Sequence, residues 1–123
     1  MNIDRVLNEA PAKIAELAER AEESRFIWKS AEIQLAQLEA KLHLLTKAEF
    51  PEKTQSDLKA TVEASDDLYA KRMEVLALES TYKKELIEVD KWRDAYVSAR
   101  KQATLRIEEM RCLNDTVGTN KKM

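Results

Sequence analysis

Positions Ile14, Leu17, Ala21, Ser24, Trp28, Ala31, Leu35, Leu38, Leu42 and Leu45 follow one another at alternating intervals of three and four. That spacing places them on a single stripe of an α-helix and has the form of a heptad seam, with Ser24 its only polar member. Leu7 and Ala10 continue the stripe toward the N-terminus, and Pro11 suits a first helical turn, where its missing N–H costs least. The pattern predicts a helix over residues 11–48, roughly 57 Å long at 1.5 Å per residue. A helix of that length needs a partner to cover its stripe.

Phe50-Pro51 ends this helix, because the residue before a proline is pushed out of helical geometry. A turn over residues 49–54 follows. Thr54, with Asp57 three residues on, has the form of a capping box in which Asp replaces the usual Glu or Gln, and it opens a second helix over residues 55–64. So short a connection makes neighbouring helices antiparallel. Leu58 and Val62 begin the second seam, and Ser65-Asp66-Asp67 supplies the short polar oxygens of another N-cap, which predicts a break there.

From residue 67 a long helix is expected to run to 113, carrying Val75, Leu78, Tyr82, Leu86, Val89, Trp92, Tyr96, Ala99, Ala103, Ile107, Met110 and Leu113 on its seam. At about 70 Å it outruns the first helix, so its end should have nothing in the same chain to cover it. Residues 114–123 hold the single glycine, Gly118, and are expected to form a frayed polar tail. The fold class is all-α: one elongated domain spanning 1–123, built as a helical hairpin or coiled coil with a long C-terminal helix, and oligomeric.

Composition agrees with this reading. Only one Gly and two Pro occur in 123 residues, 44% of residues are hydrophobic and 36% charged, so little interrupts a helix while its outer faces stay solvated. The net charge of −2 gives no overall attraction to nucleic acid or an anionic membrane, but the charge is unevenly placed. Residues 1–46 carry six basic and eight acidic groups, residues 47–82 five and eight, and residues 83–123 ten and seven. Between Ala95 and Ile107 stand Arg100, Lys101 and Arg106 with no acidic residue, a local positive stretch that is also what a plain solvated helix face looks like. A lone cysteine, Cys112, forms no internal disulfide and fits a reducing compartment. With no apolar run of signal-peptide or membrane-spanning length, a cytoplasmic location is expected.

The residues that chemistry needs are missing. A single His43 and a single Cys112 do not assemble a thiol–imidazole pair or a zinc site within one chain, and one glycine does not build a phosphate-cradling loop. His43 adjoins the seam residue Leu42 and reads as an edge side chain, while Cys112 reads as a small buried residue. Glu22-Glu23, Asp66-Asp67 and Glu108-Glu109 read as caps and solvated faces, and Trp28, Tyr82, Trp92 and Tyr96 as packing residues of the seams. No enzymatic activity, cofactor or metal is expected.

The stretch Leu38-Glu39-Ala40-Lys41-Leu42-His43-Leu44-Leu45-Thr46-Lys47 resembles the UvsY family of phage recombination mediators, which carries Leu-Lys-Ala-Arg-Leu-Asp-Tyr-Tyr followed by a small residue and Gly in a corresponding place. Leu38, Ala40 and Leu42 match, and Lys41 keeps the charge of the family's arginine. Ser98-Ala99-Arg100, then Ile107-Glu108-Glu109-Met110-Arg111, is similar to that family's closing helix with its Ile-Gln-Asp-Met-Arg, and residues 59–67 are similar to the segment leading into it. The resemblance spans residues 38–111. It departs at Glu39, where the family has a basic residue, at Leu44 and Leu45, where it has aromatics, and at Lys47, where it has glycine; these are the positions most tied to DNA contact.

The resemblance implies a small helical protein that closes into a ring, binds single-stranded DNA and, without enzymatic activity, helps a RecA-like recombinase displace single-strand-binding protein. In a phage-encoded protein the compartment would be the host cytoplasm. Backbone contacts supply sequence-independent affinity, so a few Lys and Arg repeated by every subunit can sum to useful binding despite a negative chain. The basic residues expected to face nucleic acid are Lys41, Lys47 and Lys53 near the hairpin turn and Arg93, Arg100, Lys101 and Arg106 on the last helix. The expected subunit interface is Tyr82, Leu86, Val89, Trp92, Tyr96, Ile107 and Met110. The main alternative is a structural or assembly coiled coil, such as a phage scaffold or a chaperone, with no nucleic-acid role; an adaptor that mimics a partner helix or an acidic strand is a further one.

Overall fold

The computed structural model describes residues 2–121, with side chains to Asp115. It is all-helical, with three helices and no strand among those residues: α1 (Ile3–Glu49), α2 (Gln55–Glu63) and α3 (Asp66–Lys121). By count, α1 has 47 residues and α3 has 56, about 70 and 84 Å of helix.

Helix α1 begins eight residues before the expected start. Asn2 is the reason: its Oδ1 accepts the Asp4 N–H at 3.0 Å and its carbonyl accepts the Val6 N–H at 3.1 Å, so the first free donors are satisfied ahead of Pro11. Pro11 therefore sits inside the helix, where its ring removes one backbone hydrogen bond. The burial of Val6 and Ala10 just ahead of that defect offsets its cost. Pro11 is exposed, so Pro11→Ala restores the bond without touching the core. An interior proline costs about 3 kcal/mol against alanine, and its stiffening of the unfolded chain returns up to about 1 kcal/mol of that. The variant should gain about 2 kcal/mol in chemical denaturation; an unchanged or lower midpoint would show that α1 does not continue through residue 11.

The two breaks follow their local chemistry. After Phe50, whose N–H still donates to the Thr46 carbonyl at 2.8 Å, the chain turns, and Thr54 Oγ1 caps α2 by accepting the Asp57 N–H at 3.3 Å. Helix α2 closes at Ala64, and Ser65 Oγ accepts the Leu68 N–H at 3.5 Å to start α3. At the other end, α3 runs through the predicted tail to Lys121; residues 122 and 123 lie outside the described residues.

Contacts along the chain fall into two compact units, because side chains on long helices reach only their local neighbours. One unit joins α1 up to Ala18 with α3 from Leu86 onward. Val6, Ala10 and Ala99 form its buried cluster, and Ile3, Leu7, Ile14, Trp92, Ala95 and Tyr96 pack around them. Small residues at 10 and 99 let the helices approach closely. The other unit is Glu19–Glu85. In it the Trp28 ring stacks on Tyr82 with centroids 5.5 Å apart, and Lys71 Nζ donates to Gln34 Oε1 at 2.6 Å. The partner number falls from 82 to 71 as the α1 number rises from 28 to 34, so the helices are antiparallel. Leu17, Ala21 and Ala31 of the predicted first seam are buried, as are Leu58, Val62, Val75, Val89 and Ala99 of the second, and Leu68 at the start of α3 is buried with them.

Candidate nucleic-acid interface

Arg93, Arg100, Lys101 and Arg106 all lie on α3 in the unit that contains Leu86 onward, and all four are exposed. At about 100° per residue, Arg93 and Arg100 project from one side, Lys101 from a quarter turn away, and Arg106 from another side again. The four thus wrap the helix instead of forming one track. Arg100 and Lys101 do share a shallow depression with Val97, Thr104, Leu105 and Glu108, where apolar and basic surface alternate and one carboxylate intrudes. The Arg100 guanidinium stands 5.8 Å from the Tyr96 ring centre, a contact that limits its sweep.

Lys41, Lys47 and Lys53 belong to the other unit. Lys41 and Lys47 are exposed on different sides of α1, six residues apart. Lys53 has local work: its Nζ lies 4.2 Å from the Phe50 ring centre and donates to Thr61 Oγ1 at 3.3 Å, which ties the turn to α2. None of the seven side chains is ion-paired among the described residues, whereas Arg5, Lys29, Lys71, Lys83 and Lys91 each bind a carboxylate three or four residues away. Their charges are accordingly available to an anion.

Neither a protein-family model, nor a curated protein, nor a solved structure matches the chain.

The residues expected at a subunit interface separate into two groups. Tyr82 is stacked on Trp28, Val89 is 2% exposed, and Trp92 and Tyr96 pack on the Val6–Ala10–Ala99 cluster, so these four are engaged within the chain. For Trp92 and Tyr96 the early start of α1 is the cause: its first turns reach α3 as far as Ala99. Past Ala103 α1 has ended, and every side chain of α3 from Thr104 to Asp115 is exposed. Ile107 and Met110, 56% and 59% exposed, therefore remain available, and Leu86 is partly so. Cys112 is exposed as well, not buried as its residue type suggested, because it lies on this uncovered stretch two residues past Met110 and about 200° around the helix from it. His43 is half-buried at the edge of the α1 seam.

A second feature escaped the sequence reading. Phe26, Ile33, Ala40 and Leu44 each stand two residues past a seam position, about 200° around α1, and are exposed. Tyr69, Met73 and Leu76 are exposed on α3 in the same unit. The signal was the interval of seven from Phe26 to Ile33 to Ala40, masked by the stronger inner seam. Two buried polar atoms, Trp28 Nε1 and Glu85 Oε2, lack a hydrogen-bond partner in this unit. No helix is long and apolar enough to cross a membrane, and no group of His, Cys, Asp and Glu is placed to hold a metal ion, among the described residues.

Proposed function

We propose that the chain is a non-enzymatic mediator that self-associates through the uncovered end of α3 as a coiled coil and binds single-stranded DNA through its phosphates, in the service of loading a RecA-like recombinase. The observation that carries the reading is the placement of Arg100 and Lys101, exposed and without ion pairs, on the turns just before the unpartnered Ile107 and Met110. An oligomer held by those turns brings one such basic pair from every subunit to the assembly, and a closed ring would set them at regular intervals along a strand. The resemblance of residues 38–111 to the UvsY family supplies the class of reaction and the partners, a recombinase and a single-strand-binding protein.

A second reading, an assembly protein such as a scaffold or chaperone that binds no nucleic acid, is favoured by a specific observation. The seven basic side chains are divided between two units, Lys53 is engaged locally, and Glu108 sits beside Arg100 and Lys101. Light scattering of the purified protein with and without an unlabelled oligonucleotide separates the two. An oligomer whose mass rises on adding the oligonucleotide supports the mediator; an oligomer whose mass does not change supports the scaffold. Ile107→Asp tests the self-association, since a charge desolvated in a packed seam costs several kcal/mol. The variant should elute as a smaller species, and a mass equal to that of an oligomeric parent would remove Ile107 from the interface.

A further inference from the structure

Two exposed apolar surfaces remain without a partner in the chain, one bordered by carboxylates and the other flanked by guanidiniums. The first is on α1: Phe26 and Ile27, 74% and 51% exposed, share a shallow apolar depression with Glu19, Glu22 and Glu23. All five fall at helical intervals of three and four, so three carboxylates border the apolar surface from one direction. The second is the end of α3, where Ile107 and Met110 continue past Ala103 the stripe that α1 covers as far as Ala99, with Arg106 and Arg111 flanking them on either side and Glu108 and Glu109 turned toward the far side of the helix.

From this we infer that the acidic, apolar surface at Phe26 and Ile27 is the docking site for the end of α3 of a second copy of this chain. Charge selects the occupant. Pairing two α3 ends would set Arg106 and Arg111 against Arg106 and Arg111 of the other copy in either direction, which brings like charges together as apolar surface is desolvated. Placing α3 on α1 pairs carboxylates with guanidiniums and seats Ile107 and Met110 on Phe26 and Ile27. The contact is heterologous, so each copy keeps one donor and one acceptor surface and the assembly grows head to tail into a ring or a filament, according to the rotation at each step. The inference rests on the self-association proposed above and not on nucleic-acid binding, for which Arg100 and Lys101 are left intact.

Reversing charge on one surface at a time tests it. Glu22→Lys with Glu23→Lys, and separately Arg106→Glu with Arg111→Glu, should each reduce the mass by light scattering to that of the single chain in low-salt buffer. Mixed in equal amounts, the two variants should recover the parent's mass, because each then meets a complementary surface on the other. Phe26→Ser should also lose the assembly without any change of charge. All the substituted positions are exposed, and unchanged far-ultraviolet dichroism confirms folded chains. If the Glu22 and Glu23 variant keeps the parent's mass while the Arg106 and Arg111 variant loses it, the end of α3 meets a different surface and the inference fails alone. Failure of the mixture to recover the parent's mass also overturns it. A parent that is itself a single chain at working concentration overturns both this contact and the self-association.

Discussion

Leu68→Ala is expected to destabilise the protein by about 2–5 kcal/mol, a loss of roughly 30-fold to a few thousandfold in the folding equilibrium. Leu68 is fully buried in the first turn of α3, immediately after the break at Ala64 and Ser65. Its side chain thus holds the point where the chain leaves α2 and begins its longest helix, and the Ser65 hydroxyl cap is fixed by the same turn. Truncation removes apolar area from the core and leaves a space that helices fixed by their other contacts fill only in part. Helices this long bury few residues completely, so one fully buried leucine holds a large share of the whole. Leu76→Ala is the control: Leu76 is 56% exposed on the same helix and its loss should change stability by about half a kcal/mol or less. Denaturant midpoints for the two variants would check this, and equal effects would mean that the buried face of α3 has been assigned to the wrong side.

Binding to single-stranded DNA should weaken on the order of a thousandfold between about 50 and 200 mM salt, if an assembly makes six to eight phosphate contacts. The affinity comes from releasing counterions condensed on the strand, so it falls as a power of the salt concentration set by the number of phosphates neutralised. Arg100→Glu with Lys101→Glu should reduce that power and lower affinity at least tenfold at low salt, because two attractive charges become repulsive. The oligomer mass should not change, since neither residue belongs to the Ile107 and Met110 stripe. Fluorescence anisotropy across a salt series, beside light scattering, reads both quantities. Tight binding that ignores salt would contradict a phosphate-based mechanism, and no binding at low salt would leave the scaffold reading. A reversal that alters neither affinity nor salt dependence would move attention to Lys41 and Lys47, and then to Lys53, whose contacts with Phe50 and Thr61 must first be given up.

Much of the candidate surface could be named from the chain but not assembled from it. The absence of acidic residues between Ala95 and Ile107 marked Arg100, Lys101 and Arg106, and all three are exposed. Their directions around α3, the engagement of Lys53 and the intrusion of Glu108 depend on side-chain placement, which a charge count does not contain. The expected interface has the same gap: Tyr82, Val89, Trp92 and Tyr96 are apolar, correctly spaced and engaged within the chain, and spacing does not say which copy of the chain covers such residues.

The sequence by itself determined the elements that local chemistry controls. Heptad spacing set the inner faces of α1 and α3, Phe50-Pro51 ended the first helix, and Thr54 and Ser65 capped the next two, because each depends on residues within a turn or two. Where α1 starts was decided elsewhere. Pro11 argued for a boundary, but an Asn2 cap and the burial of Val6 and Ala10 against Ala99, nearly ninety residues away, outweighed one lost hydrogen bond. Those eight added residues also decide how far along α3 the chain can cover itself, and hence that the uncovered apolar stretch begins only after Ala103. Periodicity says that a stripe will be buried; only the tertiary structure says by what, since burial is a property of pairs of surfaces and a sequence lists them one at a time.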